Sequence, residues 1–292
     1  MPYQVGNGAM RIIKTIREMR TEAETRRRSG DIVGLVPTMG FFHEGHLSLM
    51  RRARAECGMV VVSLFVNPTQ FGPGEDLAAY PKDFERDCAL AAAEGVDVMF
   101  APEPGEMYAG DHATFVNVER ITGHLCGASR PGHFRGVATV VAKLFHVCRP
   151  QRAYFGLKDY QQTRVIETMI RDLNFDVEVV RCPIVREPDG VAMSSRNSYL
   201  SPEERRAAAI LRRSLVAAGK RIEQGERDGA AIARQLREAI QAEPLASVDY
   251  AAVVDAESLA PLDRIHGAAL LAVAVRIGRA RLIDNLVVET AT

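Results

Sequence analysis

The sequence predicts an α/β protein, with a doubly wound parallel sheet followed by a second, smaller α+β domain. Two observations predict this. In the first two-thirds of the chain, short apolar runs alternate with stretches whose apolar residues recur at helical spacing, which is the pattern of β-α-β units. In the remainder, helix-like stretches are followed by clustered strand-like runs. We therefore expect a Rossmann-like domain over residues 1–184 and a smaller domain over residues 185–292.

The first domain is expected to contain buried parallel strands joined by helices. Residues 59–66 read M-V-V-V-S-L-F-V, a continuous apolar run that suits a strand buried on both faces of a sheet. Ligands of such sheets bind beyond the carboxyl ends of the strands, so the turns that follow the strands should carry the functional residues. The expected elements are strands 32–36, 59–66, 96–101, 152–155 and 177–182, and helices 47–55, 81–94, 134–148 and 159–173.

The second domain is expected to begin with two helices. Ser201-Pro202-Glu203-Glu204 is a capping box with proline at the first helical position, and it predicts a helix that stops near Gly225. A second helix is expected over 229–243, before Pro244. Three β-type runs follow, at 248–254, 268–275 and 282–288.

Composition excludes several classes of protein. The 37 basic and 37 acidic residues cancel, so no basic excess indicates a nucleic-acid binder. No apolar stretch approaches the ~18 residues that a membrane span needs, and Met1-Pro2-Tyr3-Gln4 lacks the features of a secretory signal. The five cysteines are widely spaced and form no C-x-x-C pair, which argues against a disulfide framework or a zinc site. We expect a cytoplasmic protein that binds neither nucleic acid nor membrane.

The first chemically informative stretch is Pro37-Thr38-Met39-Gly40-Phe41-Phe42-His43-Glu44-Gly45-His46, between a strand and a helix. Gly40 permits a sharp turn, and Gly45 removes a side chain where the backbone would approach a ligand. The helix N-terminus offers N–H groups and a positive dipole end to a phosphate. Two imidazoles three residues apart can both lean toward that phosphate and stabilise its charge.

Two other interpretations of this stretch exist. One is a zinc-protease site, but the motif of such a site is H-E-x-x-H and the histidine spacing here is H-x-x-H. Glu44 is therefore not expected to be a metal-assisted base. Alternatively, the two histidines could simply cap the helix. H-x-G-H between a strand and a helix is nevertheless the mark of the nucleotidyltransferase superfamily.

The second stretch, Asn67-Pro68-Thr69-Gln70, follows the most apolar strand at its carboxyl end. The amides of Asn67 and Gln70 both donate and accept hydrogen bonds, which suits a substrate that bears a carboxylate and hydroxyls. A turn in which these amides only cap the backbone is an equal alternative.

The third stretch, Gly156-Leu157-Lys158-Asp159, lies at another strand-to-helix junction. Lys158 is a point charge suited to phosphate. Asp159 could either cap the helix or hold Mg²⁺ through its carboxylate. Gln162 would lie in the first turn of that helix and point toward the cleft.

The fourth stretch comprises Val185-Arg186-Glu187 and the loop Met193-Ser194-Ser195-Arg196. Two hydroxyls and a guanidinium can close over a triphosphate, and the loop resembles the K-M-S-K-S loop of relatives that use H-x-G-H. On its own, Ser-Ser-Arg is also a common surface turn.

Together these stretches resemble the pantothenate synthetases, in order and with similar spacing, over about residues 32–200. The chain departs from the family pattern at Phe41-Phe42, where Ala-Leu is more usual, and at Leu157, where glutamate is more usual. The shared motifs are P-T-M-G-x-x-H-E-G-H, F-V-N-P-x-Q-F, A-Y-P, R-P-G-H-F-R-G-V, F-G-x-K-D-Y-Q-Q and M-S-S-R-N-x-Y-L.

The resemblance implies a ligase that joins pantoate to β-alanine and splits ATP, its substrate, to AMP and pyrophosphate. The pantoate carboxylate would attack the α-phosphorus to give pantoyl adenylate, and the β-alanine amine would then attack the acyl carbon. Mg²⁺ is the implied cofactor and a homodimer the implied assembly. Because an acyl adenylate must be shielded from water, we expect residues 185–292 to act as a closing lid.

The resemblance also implies roles for individual residues. His43 would be the proton donor, and His46, Lys158 and Arg196 would act with it in catalysis. Gln70, Gln162 and Asn67 would bind pantoate or β-alanine, and Asp87 and Asp159 are candidates for organising Mg²⁺. Contacts to ATP are expected from Met39, Gly40, Phe41, Phe42, His43, Glu44, Gly45, His46, Gly156, Leu157, Lys158, Asp159, Val185, Met193, Ser194, Ser195 and Arg196.

Two other functions fit part of this pattern. Another H-x-G-H enzyme could move a nucleotide onto a phosphate acceptor, but it would need more cations for that acceptor. The uncharged amide pairs Asn67/Gln70 and Gln161/Gln162 argue against this function. A non-catalytic nucleotide sensor on the same fold would not need the complete set of cationic groups that this sequence retains.

Overall fold

A computed structural model of the chain describes residues 3–5 and 8–290. The strands are β1 (Tyr3–Val5), β2 (Gly8–Ile13), β3 (Val33–Thr38), β4 (Met59–Leu64), β5 (Val98–Phe100), β6 (Arg152–Gly156), β7 (Glu178–Cys182), β8 (Ala246–Asp255), β9 (Ala268–Ile277) and β10 (Ala280–Glu289). The helices are α1 (Ile16–Arg28), α2 (Glu44–Glu56), α3 (Phe84–Ala93), α4 (Pro104–Met107), α5 (Leu125–Ser129), α6 (His133–Cys148), α7 (Tyr160–Asp172), α8 (Pro202–Glu223) and α9 (Gly229–Gln241). Short 3-10 helices cover Pro68–Gln70, Ile121–Gly123, Leu157–Asp159 and Ser195–Tyr199.

The larger sheet has the strand order β1-β2-β5-β4-β3-β6-β7. All neighbouring strands in this order run parallel except β1, which pairs antiparallel with β2. From β3 the chain proceeds to β4 and β5 on one side and later to β6 and β7 on the other, so the order of strands reverses between β3 and β6. The predicted doubly wound class is confirmed, and the reversal point is where such sheets bind ligands.

The smaller sheet is antiparallel, with the order β10-β9-β8. Helices α8 and α9 pack on it through a shared apolar core. The predicted capping box forms: the Ser201 hydroxyl accepts from the N–H of Glu204, and the Glu204 carboxylate accepts from the N–H of Ser201. The predicted second α+β region is confirmed.

The described residues form two compact units. The first unit contains the described part of residues 1–118 together with residues 131–157 and 165–183. The second contains residues 119–130 and 158–164 together with the described part of residues 184–292. The division of the chain into domains 1–184 and 185–292 stays a prediction, and the structure adds that two segments from within 1–184 belong to the second unit. Residues 1, 2, 6, 7, 291 and 292 of those domains lie outside the described residues.

The N-terminal elements β1, β2 and α1 escaped the sequence prediction. Helix α1 buries only Met19 and Ala23, so its apolar residues are too sparse to show helical spacing. Helix α3 begins at Phe84 rather than at residue 81, because Asp83 caps it by accepting from the N–H of Arg86. Within the described residues, no helix is both long and apolar enough to cross a membrane.

Candidate active site

Three of the predicted segments follow three neighbouring strands of the parallel sheet. Met39–His46 follows β3, Asn67–Gln70 follows β4, and Leu157 follows β6, in a sheet where β3 lies between β4 and β6. The first two segments touch directly, because the Gln70 amide Nε2 donates to the Met39 Sδ at 3.2 Å. The structure therefore brings the histidine segment and the amide segment together at the carboxyl edge of the first unit.

His43 and His46 form a capping box at the start of α2. The Nδ1 of His43 accepts from the N–H of Gly45 at 3.1 Å, and the Nδ1 of His46 accepts from the N–H of His43 at 3.3 Å. The two ring centroids lie 4.1 Å apart. Because a backbone N–H can only donate, each Nδ1 must carry a lone pair, and the proton of each neutral ring is on Nε2. The capping interpretation is therefore confirmed, and capping also fixes both rings as Nε2–H donors.

The turn before α2 is held by a carboxylate from α3. Gly40 has φ 86° and Phe41 has φ 54°, so two successive residues are left-handed. The Asp87 carboxylate accepts from the N–H of Phe41 at 2.6 Å and from the N–H of Phe42 at 2.7 Å. Burial raises the pKa of the Asp87 carboxyl above its usual value, while the N–H groups of Phe42 and Phe41 act in the opposite direction.

The two aromatic departures from the family pattern have different surroundings. Phe42 is buried in the core of the first unit. Phe41 is half-buried, and the guanidinium of Arg86 lies 5.5 Å from its ring centroid. The side chain of Glu44, in contrast, pairs with Arg51 further along α2. Of these three predicted ATP-contacting residues, only Phe42 therefore has its side chain in the core.

The amide of Asn67 is satisfied entirely within the protein. Its Nδ2 donates to the Gln70 Oε1 at 3.0 Å and to the Gly136 carbonyl at 3.1 Å. Its Oδ1 accepts from the hydroxyls of Thr69 and Tyr108, each at 2.9 Å. Asn67 is 1% exposed. Its structural role is therefore to orient the Gln70 amide, and its predicted contact with substrate stays a prediction.

Helix α6 holds the same segment from the other side. The His133 Nδ1 donates to the carbonyl of Gln70 at 2.9 Å. Gly136 faces the backbone of Thr69 so closely that a Cβ there would lie 2.3 Å from the Thr69 carbonyl oxygen. His133 and Gly136 belong to the R-P-G-H-F-R-G-V motif, so this motif forms the support for Gln70.

The second unit carries Lys158 and Asp159, whose charged groups lie 3.2 Å apart. The Lys158 carbonyl accepts from the Nδ2 of Asn285 at 3.0 Å. The neighbouring Asp284 is 3% exposed and forms a two-point ion pair with Arg186, at 2.8 and 2.9 Å. Asp284 and Asn285 were not predicted from the sequence. Their partners Arg186 and Lys158 lie 98 and 127 positions earlier, and no local pattern in a C-terminal strand indicates such contacts.

The Met193–Arg196 loop belongs to the second unit as well. The N–H of Met193 donates to the Val185 carbonyl at 3.0 Å, and the Ser194 hydroxyl caps the following 3-10 helix by accepting from the N–H of Arg196. Ser195 is buried. Lys158 and Ser194 line the same small cavity, together with Asp284. The structure thus brings Lys158 of the third predicted segment together with the fourth predicted segment within the second unit.

The adjacent glutamines at the start of α7 have different environments. Gln161 is buried, and its Nε2 donates to the carbonyls of Ile121 and His124 at 2.9 and 2.8 Å, while its Oε1 accepts from the N–H of Cys126. Gln162 is half-buried, and its side-chain amide has no hydrogen-bond partner among the described residues. Gln161 is therefore structural, whereas the amide of Gln162 remains available to a ligand.

Comparisons with known proteins show the family to which the chain belongs. The family model of the pantoate-beta-alanine ligases matches residues 11–287. A pantothenate synthetase of Heliobacterium modesticaldum is 59% identical over 280 residues, which cover 96% of this chain and 100% of that protein. One from Pelotomaculum thermopropionicum is 55% identical over 278 residues, covering 95% and 99%.

Solved structures agree as well. The crystal structure of pantothenate synthetase from Thermus thermophilus has a TM-score of 0.89 and 52% identity, covering 95% of this chain and 99% of that one. A Francisella tularensis pantoate-beta-alanine ligase, complexed with beta-gamma ATP and β-alanine, has a TM-score of 0.78 and 31% identity, covering 97% and 99%. The chain therefore belongs to the pantoate–β-alanine ligase family.

Proposed function

We propose that this protein condenses pantoate with β-alanine to pantothenate in two steps, through pantoyl adenylate, with release of AMP and pyrophosphate. The observation that carries the proposal is the pair of Nε2–H imidazoles at the N-terminus of α2, in a segment whose Met39 contacts the buried Gln70 amide at the carboxyl edge of the sheet. A relative from Francisella tularensis was solved with beta-gamma ATP and β-alanine, which supports the nature of two of the three substrates.

In the first step, a carboxylate oxygen of pantoate attacks the α-phosphorus, and the bond from that phosphorus to pyrophosphate breaks. Two anions must meet, and unit charges ~4 Å apart repel by about 4 kcal/mol at an effective dielectric of ~20. His43 and His46 each offer an Nε2–H donor, and the N-terminus of α2 adds N–H groups and a positive dipole end. The histidine segment Met39–His46 therefore receives the phosphates, with His43 as the proton donor.

The second unit supplies further countercharge. Lys158 carries its charge beside the cavity that it shares with Ser194, and Arg196 lies two residues further along the same loop. We propose that Gly156–Asp159, Val185 and Met193–Arg196 contact ATP and that Lys158 and Arg196 neutralise the leaving pyrophosphate. The lid role of residues 185–292 is part of the same proposal.

The amides recognise the organic substrates. The side-chain amide of Gln70 can both donate and accept hydrogen bonds. It can therefore hold a hydroxyl and a carboxylate of pantoate, and then the amine of β-alanine. Gln162 adds a half-buried amide without a partner among the described residues. Asn67 serves the same site by holding the Gln70 Oε1 at 3.0 Å. In the second step, the β-alanine amine attacks the acyl carbon of the adenylate, and AMP leaves.

Mg²⁺ would supply charge neutralisation on the phosphates when bound. Proteins commonly hold this ion through one or two carboxylates together with substrate phosphates. The described residues contain no group of three or more His, Cys, Asp or Glu side chains that could hold a metal by themselves, which fits an ion held mainly by ATP. Of the two predicted carboxylates, Asp159 is 44% exposed and adjacent to Lys158, so it suits this role better than the buried Asp87.

The experiment that tests the proposal mixes the protein with ATP, Mg²⁺ and pantoate and measures pyrophosphate. Pyrophosphate should form without β-alanine, and addition of β-alanine should then release AMP and produce an amide. A product that stays adenylated after β-alanine is added would instead favour an enzyme that transfers a nucleotide to another acceptor. A homodimer in the cytoplasm stays our expectation for the assembly, and analytical ultracentrifugation would test the dimer.

A further inference from the structure

We infer that Asp87 is a positioning residue, which holds the turn before α2 in the shape that places His43 and His46. The inference rests on the proposed function, because it concerns the same histidines. Asp87 lies on α3, and its carboxylate reaches the two N–H groups that immediately precede His43 in the chain. It would act on the reaction through the backbone of Phe41 and Phe42 rather than through contact with a substrate.

The geometry gives Asp87 two short and specific partners. Its Oδ2 accepts from the N–H of Phe41 at 2.6 Å, and its Oδ1 accepts from the N–H of Phe42 at 2.7 Å. The carboxylate is 1% exposed, so water does not replace these bonds. A Cβ added at Gly40 would lie 3.0 Å from the Oδ2, which shows how tightly the turn wraps around the carboxylate. Both oxygens are thus engaged by the turn itself.

The turn needs such support because of the backbone of Phe41. Its φ of 54° is in the left-handed region, which is unfavourable for a residue with a Cβ. A backbone in that region persists only when surrounding contacts hold it there. The carboxylate of Asp87 binds both the strained residue and the next one, and His43 follows directly as the N-cap of α2. Loss of the carboxylate should therefore release the strain and move the cap.

This role differs from that of a magnesium ligand. Mg²⁺ requires oxygen atoms that can turn toward it at a short distance, together with several waters. Both oxygens of Asp87 are occupied by backbone N–H groups inside the protein, and the side chain is buried in the first unit. The two roles make opposite predictions for the Mg²⁺ dependence of a variant, so they can be separated by experiment.

The principal variant is Asp87→Asn, which keeps the size of the side chain but turns an NH₂ group toward one of the two N–H donors. We expect the kcat for pyrophosphate release to fall by about 10²-fold, because a misplacement of about 1 Å has that effect on positioned groups. The Mg²⁺ concentration at half-maximal rate should stay unchanged. A large rise in that concentration, with normal kcat at saturating Mg²⁺, would overturn the inference in favour of a metal ligand.

The decisive readout is a rescue by Phe41→Gly. Glycine adopts the left-handed conformation without strain, so the double variant Asp87→Asn/Phe41→Gly needs less support from the carboxylate. The effect of Phe41→Gly alone is measured and divided out, as in a double-mutant cycle. After this correction, we expect the kcat of the double variant to be about tenfold higher than that of Asp87→Asn. This factor corresponds to the free-energy penalty of the left-handed conformation. No recovery would overturn the inference.

Two controls keep the test interpretable. Asp83→Asn changes an exposed carboxylate that caps the same helix, and it should leave kcat and the Mg²⁺ dependence as in the wild type. Hydrogen exchange of the Phe41 and Phe42 amides reports on the turn without any activity: it should be slow in the wild type and fast in Asp87→Asn. Equal exchange in both proteins would refute the inference even if the proposed function failed, and failure of the wild type to release pyrophosphate would refute the function alone.

Discussion

Replacing Gly136 with alanine sets two physical effects against each other. Gly136 lies inside α6, where alanine by helix propensity alone would stabilise the protein by about 0.5–1 kcal/mol. The added Cβ, however, would lie 2.3 Å from the carbonyl oxygen of Thr69 and 2.6 Å from the Cα of Gln70. Both are backbone atoms, so no side-chain rotation relieves the contact, and normal separations require a shift of about 1 Å.

The expected balance is destabilising. Overpacking of this kind costs about 1–3 kcal/mol. Strain on the bond from Asn67 to the Gly136 carbonyl adds up to about 1 kcal/mol. After subtraction of the propensity gain, the free energy of unfolding should fall by about 2 kcal/mol, within a range of about 0 to 3.5 kcal/mol. Because the same shift displaces Gln70, kcat/KM for pantoate should fall by up to about 10²-fold while the KM for ATP changes little.

Denaturant unfolding and steady-state kinetics measure these two effects. Gly105→Ala is the matched control, because Gly105 also lies in a helix and a Cβ there would meet nothing within 4 Å. That variant should be as stable as the wild type or slightly more so. If Gly136→Ala instead matched the wild type in stability and in kcat/KM, the close approach of α6 to Gln70 would have no functional meaning, and the reasoning would be refuted.

The remaining predictions address the other parts of the site. His43→Ala should slow pyrophosphate release by about 10²-fold with ATP still bound, whereas His43→Asn should restore the helix cap and the stability but not the rate; recovery of the rate would reduce His43 to a cap. Lys158→Ala should slow the same step by about 10²-fold, and unchanged release would exclude Lys158 from the reaction. Asn285→Ala should raise the KM for ATP by about 3–10-fold, since it removes the hydrogen bond that holds the Lys158 carbonyl, and an unchanged KM would contradict that role. A chelator should stop pyrophosphate release without lowering the Tm of the ligand-free protein, and a lower Tm would indicate a structural metal.

Local sequence was sufficient for the elements that show their pattern in neighbouring residues. The apolar run at 59–66 became β4, and the capping box at Ser201 starts α8, because strand burial and helix caps depend on residues a few positions apart. The charged helix α1 could not be predicted in this way. It buries only Met19 and Ala23, and it is held mainly by its place against the rest of the unit.

The site shows the same division between near and distant partners. The histidine pair could be predicted from sequence both as a cap and as a phosphate site, and the structure shows that the capping bonds fix the two Nε2–H donors. The role of Asp87 could not be predicted, because its partners Phe41 and Phe42 lie 46 and 45 residues away in sequence. Asn67 likewise donates to the carbonyl of Gly136, which lies 69 residues later in the sequence.

The sequence by itself therefore determined the fold class, the strand-to-helix turns and the family, since each depends on residue types at short and regular spacing. Only the tertiary structure decided which polar side chains are bound by the protein itself. Asn67, Gln161 and Asp87 have hydrogen-bond partners within the chain, and Gln70 is bonded to Asn67 and Met39, whereas the Gln162 amide has no partner among the described residues. Buried polar groups must find partners, and the packing of remote elements decides whether those partners come from the chain.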